Sequence, residues 1–131
     1  MPIILCLDLG VAHTGLAISH EGILAEPLST IFATSLSKLP GRLLPFIAKP
    51  HPETIVIRIP QSGPLVEKAQ SLQKELEKVF AGEIVLFPED YSSQSARTVM
   101  KKVGKTLVKR QAEEHQTAAA LILQEYLDSL T

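Results

Sequence analysis

Apolar positions come in short unbroken blocks near the start of the chain and in helical spacing further along. Residues 3–7 are continuously apolar, which predicts a strand buried on both faces, and Asp8 closes the run. Gly10 and Gly15 follow, with a second apolar block at 16–18; glycines at these points permit a tight return and antiparallel pairing. His20, Glu21 and Gly22 predict another turn. Residues 23–31, interrupted by Pro27, predict a third strand. Three strands joined by short turns make an antiparallel meander.

Beyond the meander the period changes. Leu36, Leu39, Leu43, Leu44 and Ile47 give residues 34–49 a helical spacing, but Pro40 and Pro45 predict a short or broken helix. Residues 55–59 form a β-branched block closed by Pro60. Pro64 suits the first turn of a helix, whose Leu65, Ala69, Leu72, Leu76, Val79 and Phe80 repeat at three and four. Gly82 stops it, and residues 84–87 predict another short buried strand, followed directly by Pro88, Glu89 and Asp90. Ser92 can cap a further helix with Ala96, Val99, Met100 and Val103 on its apolar face. Gly104 breaks that pattern, and a last helix is expected over about residues 108–130. Strands alternating with helices predict an α/β fold, a mixed sheet covered on both faces, built as one domain over residues 1–131.

Bulk composition narrows the function classes only slightly. A net charge of −1 argues neither for nor against a polyanionic partner. Cys6 is the sole cysteine and lies inside the first apolar block, which excludes a disulfide framework and a cysteine-based zinc site. No apolar run approaches the roughly 20 residues that span a bilayer, and the N-terminus lacks a basic region. A soluble, cytoplasmic protein without membrane association is expected. Neither a Gly-x-x-x-x-Gly-Lys loop nor a Gly-x-Gly-x-x-Gly turn is present, so the usual nucleotide cradles are missing.

Where the acids fall is more informative. In sheets of this kind, sites gather at the carboxyl ends of strands. Burying an acid there is costly unless a cation or donors meet it, so Asp8 is the first functional suspect. Glu89 stands two residues past the last apolar block, and Glu113, Glu114 and His115 open the final helix. His115, Ala119, Ile122 and Tyr126 share one face of that helix, expected to pack on the sheet. The remaining histidines, His13, His20 and His51, have no metal-ligand spacing and read as surface or turn residues. Arg97, Lys101, Lys102, Lys105, Lys109 and Arg110 place six of the 13 basic residues in a span without an acid, suited to holding phosphates. Aromatics are only 5% of the chain, poor material for stacking on single strands, so backbone contact with a structured nucleic acid fits better.

Taken together, these segments resemble the YqgF/RuvX family, small ribonuclease-H-like proteins described as Holliday junction resolvases and pre-16S rRNA nucleases. Leu5-Cys-Leu-Asp-Leu-Gly through Thr14-Gly-Leu-Ala-Ile-Ser resembles the family's Asp-Pro-Gly…Gly-Val-Ala opening, with Leu9 in place of proline. Ile55-Val-Ile-Arg-Ile-Pro is similar to its Val-Gly-Leu-Pro strand, with Arg58 replacing glycine. Phe87-Pro-Glu-Asp-Tyr-Ser-Ser resembles Asp-Glu-Arg-Leu-Thr-Thr, with Glu89 kept and Asp90 in place of arginine. The segment from His115 is close to the family's Asp-Lys-Leu-Ala-Ala motif, with His115 in the acid's place.

The resemblance implies a ribonuclease-H-like mixed five-stranded sheet, three antiparallel N-terminal strands plus two parallel ones, with helices on both faces. It also implies metal-dependent phosphodiester hydrolysis with two Mg²⁺ or Mn²⁺ ions held by Asp8, Glu89 and His115. Imidazole suits Mn²⁺ better than Mg²⁺. The implied partner is structured RNA, in 5′-end maturation of pre-16S rRNA during ribosome biogenesis, or branched DNA, acted on by a monomer or weak homodimer. An actin- or hexokinase-like phosphotransferase shares the Asp-x-Gly element, but 131 residues leave no room for its second domain. The rival reading is a non-catalytic nucleic-acid-binding or ribosome-assembly protein on the same fold.

Overall fold

The computed structural model describes residues 2–10, 12–32, 35, 37–88 and 107–130, with side chains in the last helix from Glu114 onward. Five strands form a single sheet: β1 (Ile4–Leu9), β2 (His13–Ser19), β3 (Glu26–Phe32), β4 (Thr54–Ile59) and β5 (Glu83–Pro88), in the spatial order β3-β2-β1-β4-β5. β1–β2 and β2–β3 pair antiparallel, whereas β1–β4 and β4–β5 pair parallel. This is the expected mixed sheet. The helices are α1 (Leu39–Ala48), α2 (Pro64–Glu77) and α3 (Leu107–Ser129).

Strand β1 lies at the centre, and all six of its residues are buried. Alternation along it sends Leu5, Leu7 and Leu9 to one face, where they meet Leu39 and Leu43 of α1 and Leu72 and Leu76 of α2. Ile4 and Cys6 point the other way, into a second core with Ala17, Val56 and the α3 residues Ala119, Ala120, Ile122, Leu123 and Leu127. Helices therefore cover both faces, as the strand–helix alternation predicts.

Several boundaries differ from the sequence expectation, each for a physical reason. The third strand begins at Glu26, not 23, and Ile23 and Leu24 are exposed in the connecting loop. Pro27 is accommodated because β3 is an edge strand and the β2–β3 register shifts between Leu16 and Ala17, next to the Ala17–Pro27 pair. α1 starts at Leu39, so Pro40 falls in the first turn, where no N–H is required; Pro45 lies inside the helix. α2 is regular only to Glu77, yet its apolar stripe continues through Phe80, which stays buried and donates its N–H to the Leu76 carbonyl at 2.8 Å. β5, expected as a buried strand, is half-exposed over residues 84–87 because it occupies the other edge of the sheet. The helix expected after Ser92 lies outside the described residues, as do Glu89, Asp90, Arg97, Lys101, Lys102 and Lys105.

The last helix is anchored at two levels. Along its buried stripe, Ala118, Ala119 and Ala120 let it sit close to the strands. One turn later, the Gln124 amide grips the β2–β3 loop: its Oε1 accepts the Ala25 N–H at 2.9 Å and its Nε2 donates to the Ile23 carbonyl at 3.0 Å.

Candidate functional site

The β1 alternation that sends leucines toward α1 and α2 leaves Asp8 on the α3 face, at the carboxyl end of the strand. It is 6% exposed, so its charge needs a partner. Arg58 is such a partner. In the parallel pairing of β1 with β4, Leu7 faces Ile57, which puts Arg58 beside Asp8 on the same face as Val56. The Arg58 guanidinium donates from Nη1 to Asp8 Oδ1 at 3.0 Å, with side-chain exposures of 12% and 8%. A charge-assisted bond of this kind, this far from water, is a strong one.

Across the antiparallel ladder Asp8 faces Gly15. A Cβ at Gly15 would run into the backbone carbonyl of His115. The sequence pattern assigned Gly15 to a turn; the structure places it inside β2, where its missing side chain lets the backbone of α3 rest on the strand. This close approach brings position 115 alongside the Asp8 end of the sheet. The expectation that His115, Ala119, Ile122 and Tyr126 share a sheet-facing stripe holds: Ala119 and Ile122 are buried, and the Tyr126 ring meets Phe87 edge-on at 5.6 Å.

His13 is a correction. Instead of a surface or turn residue it is the first residue of β2, half-buried, on the same face as Gly15 and Ala17. Its ring sits 4.8 Å from Phe32 and 5.2 Å from His115, both edge-on. Its Nδ1 is buried and has no hydrogen-bond partner among the described residues. His20 and His51 are exposed, as expected. The turn beyond Asp8 is held by the Gly10 N–H to the His13 carbonyl at 2.8 Å, and by Lys68 of α2, whose Nζ donates to the Gly10 carbonyl at 3.0 Å. Arg58, Lys68 and His13 were not identified as site residues from the sequence. The signal for Arg58 was its departure from the family's glycine, but only the β1–β4 register reveals what it touches.

Buried next to Asp8, Cys6 has its thiol pushed well above the ordinary range, first by desolvation and then by the Asp8 charge. Burial thus favours its neutral thiol form. Among the described residues no three His, Cys, Asp or Glu side chains gather as a metal-binding group. Of the expected ligands, Asp8 and His115 are both described and lie at the same end of the sheet, while Glu89 follows Pro88, the last residue of β5, outside the described residues. Lys109 and Arg110 fall in the first turn of α3; their side chains lie outside the description. Among the described residues no helix is long and apolar enough to cross a membrane.

Comparison with solved structures shows the same fold in two resolvases. The chain is similar to Thermus thermophilus RuvC in complex with Holliday junction substrate (TM-score 0.60, 16% identity, 98% of this chain and 95% of that one). It is also similar to the fowlpox virus Holliday junction resolvase (TM-score 0.63, 13% identity, 98% and 99%). Among curated proteins, a candidate pre-16S rRNA nuclease of Bacillus pumilus is 34% identical over 135 residues, covering 97% of this chain and 98% of the relative. Its counterpart in Chloroflexus aurantiacus is 29% identical over 133 residues, covering 97% and 87%. The model of the RuvX family, described as Holliday junction resolvase, matches residues 2–129. The match thus spans the whole sheet that carries Asp8 and the helix that carries His115, and the chain belongs to the RuvX family.

Proposed function

We propose that this protein is a metal-dependent nuclease of structured nucleic acid, and that its role is maturation of the 5′ end of pre-16S rRNA. The observation that carries the reading is the buried Asp8 carboxylate at the tip of β1, on the face where Gly15 admits position 115, in a RuvX-family chain. The names of the Bacillus and Chloroflexus relatives favour RNA over branched DNA as substrate.

The donor chemistry suits a divalent ion. Asp8 offers hard carboxylate oxygen, and His115 contributes imidazole. Asp8, Glu89 and His115 would hold Mg²⁺ or Mn²⁺, which when bound supplies an activated water and stabilises the leaving oxygen. The chain's own residues do the rest. Lys68 fixes the turn that follows Asp8, α3 closes one side of the site, and the basic run from Arg97 to Arg110 would hold the backbone of the substrate.

One observation favours a second reading, nucleic-acid binding without cleavage: the chain supplies its own counter-ion to Asp8. Cleavage of a structured pre-16S 5′ leader and of a four-way DNA junction, assayed side by side in Mg²⁺ and Mn²⁺, separates the two. Nuclease function requires cleavage of at least one substrate by the wild type and none by Asp8→Asn. Salt-dependent binding with no cleavage in either metal would establish the second reading.

A further inference from the structure

Building on the nuclease reading, we infer that Arg58 is a resident cation of the site, which a divalent ion must displace from Asp8, so that this one side chain sets the metal affinity. An aspartate that is 6% exposed must be neutralised, and in this chain a guanidinium does it from the neighbouring strand, at 3.0 Å. A carboxylate that is to hold a metal ion must offer it a free oxygen lone pair. Here Oδ1 already accepts a hydrogen bond from Nη1.

Geometry makes the competition direct. Arg58 and Asp8 sit side by side through the β1–β4 register and share the α3 face, so a cation bound at Asp8 would lie close to the guanidinium. Two like charges there repel in a medium that screens them poorly. The guanidinium must therefore turn aside when a metal enters. Arginine can do so: its long stem is flexible, its head is only weakly hydrated, and its planar fork matches a phosphate as well as a carboxylate. Displaced from Asp8, the same group becomes a phosphate contact at the edge of the site. Metal and substrate then favour the same rearrangement, since each stabilises the arrangement in which Arg58 has left Asp8. The metal-free protein, in turn, keeps Asp8 neutralised without an ion.

Direct Mn²⁺ titration, followed by the paramagnetic resonance of free Mn²⁺, tests this on wild type, Arg58→Gln, Asp8→Asn and the Arg58→Gln/Asp8→Asn double variant. Glutamine keeps much of the length and a hydrogen-bond donor while removing the charge. The expected result is at least tenfold tighter Mn²⁺ binding in Arg58→Gln than in wild type, with the gain lost in the double variant. Equal, Asp8-dependent affinities in wild type and Arg58→Gln would overturn the role of Arg58 and leave the nuclease reading standing. No Asp8-dependent binding in either protein would overturn both. A second measurement avoids substitution altogether: the Arg58 side-chain N–H resonances of ¹⁵N-labelled wild type should shift on saturation with Mg²⁺. Resonances that stay in place while Mg²⁺ binds at Asp8 would refute displacement.

Discussion

The two faces of the sheet are built from different materials. Toward α1 and α2 the strands present large aliphatic side chains, Leu5, Leu7, Leu16, Ile55 and Ile57, which interlock with Leu39, Leu43, Leu72 and Leu76. Toward α3 they present Cys6, Gly15, Ala17 and Val56, met by three consecutive alanines. Small residues bring the helix backbone close, and the same face carries Asp8, Arg58 and His13 at its end. One face is specialised for bulk packing. The other gives up side-chain volume to place a helix close to charged groups.

The sharpest way to break that contrast is a pair of glycine substitutions. Gly15→Ala drives a methyl group into the His115 carbonyl, a backbone atom that cannot rotate away. It should cost about 5 kcal/mol or more, in the range of the most disruptive single changes. Gly41→Ala, in α1 with nothing within 4 Å of its added methyl, should be neutral or stabilise by up to about 1 kcal/mol. Thermal melts of the two variants read this directly. Similar melting temperatures for both would show that α3 is not seated as closely as described.

Charge on the α3 face gives the next effect. Arg58→Ala removes a guanidinium from the buried Asp8, at a cost of about 3–5 kcal/mol, whereas Asp8→Leu combined with Arg58→Met should cost less than the single change. Denaturant unfolding measures both. A double variant less stable than Arg58→Ala would mean that the pair holds the sheet together instead of serving a site.

Leu72→Ala probes the other face. Removing a fully buried leucine from the α2 packing should cost about 2–5 kcal/mol. Activity per folded molecule should stay at the wild-type level, because Leu72 packs on the face of the sheet opposite Asp8 and the Lys68 contact to Gly10 is made by a different side chain of α2. Loss of activity without loss of fold would show that the two faces are coupled.

The smallest effect concerns pH. The folded thiol of Cys6 ionises well above its unfolded value of about 8.5. The unfolded chain thus loses this proton first, so the contribution is intact below about pH 8.5 and declines as pH rises toward the folded value. Between about pH 8.5 and 9.5 the loss should reach about 1 kcal/mol. Cys6→Ala should flatten that part of the stability profile, whatever its effect on absolute stability. Parallel profiles for the two proteins would place the alkaline sensitivity elsewhere. Tyr126, raised by desolvation and by Glu83, contributes only at higher pH.

How much of this was legible in the sequence follows from the range of each interaction. Local periodicity sufficed for β1, for the apolar stripe of α2 and for the sheet-facing stripe of α3, because each element announces its own buried face. Asp8 stood out because its burial could be inferred from the five apolar residues before it. The Arg58 contact could not be read, since it depends on the register between two parallel strands 50 residues apart, which no local pattern encodes. Gly15 misled for a related reason. A glycine between two apolar blocks looks like a turn, and only the position of a helix a hundred residues later shows that the missing side chain serves a close approach. His13 was hidden likewise: its neighbours Phe32 and His115 come from β3 and α3.

The grip of Gln124 on the β2–β3 loop has a bearing on the order of events during synthesis. The amide of Gln124 joins residues 99 and 101 positions earlier in the chain, and α3 is the last element described along it. As the chain emerges from the ribosome, β1 to β5 with α1 and α2 are complete first, and their leucine-rich face can close. Among the described residues, Ile4, Cys6, Ala17 and Val56 find their helical cover in α3. Such a nascent sheet exposes an apolar surface to any neighbouring chain, and its final closure waits on contacts such as those of Gln124, 99 and 101 positions apart in sequence, which form slowly. The stage most exposed to misassembly is therefore the interval before residues 118–127 arrive, and it ends when one helix covers the bare face and the site together.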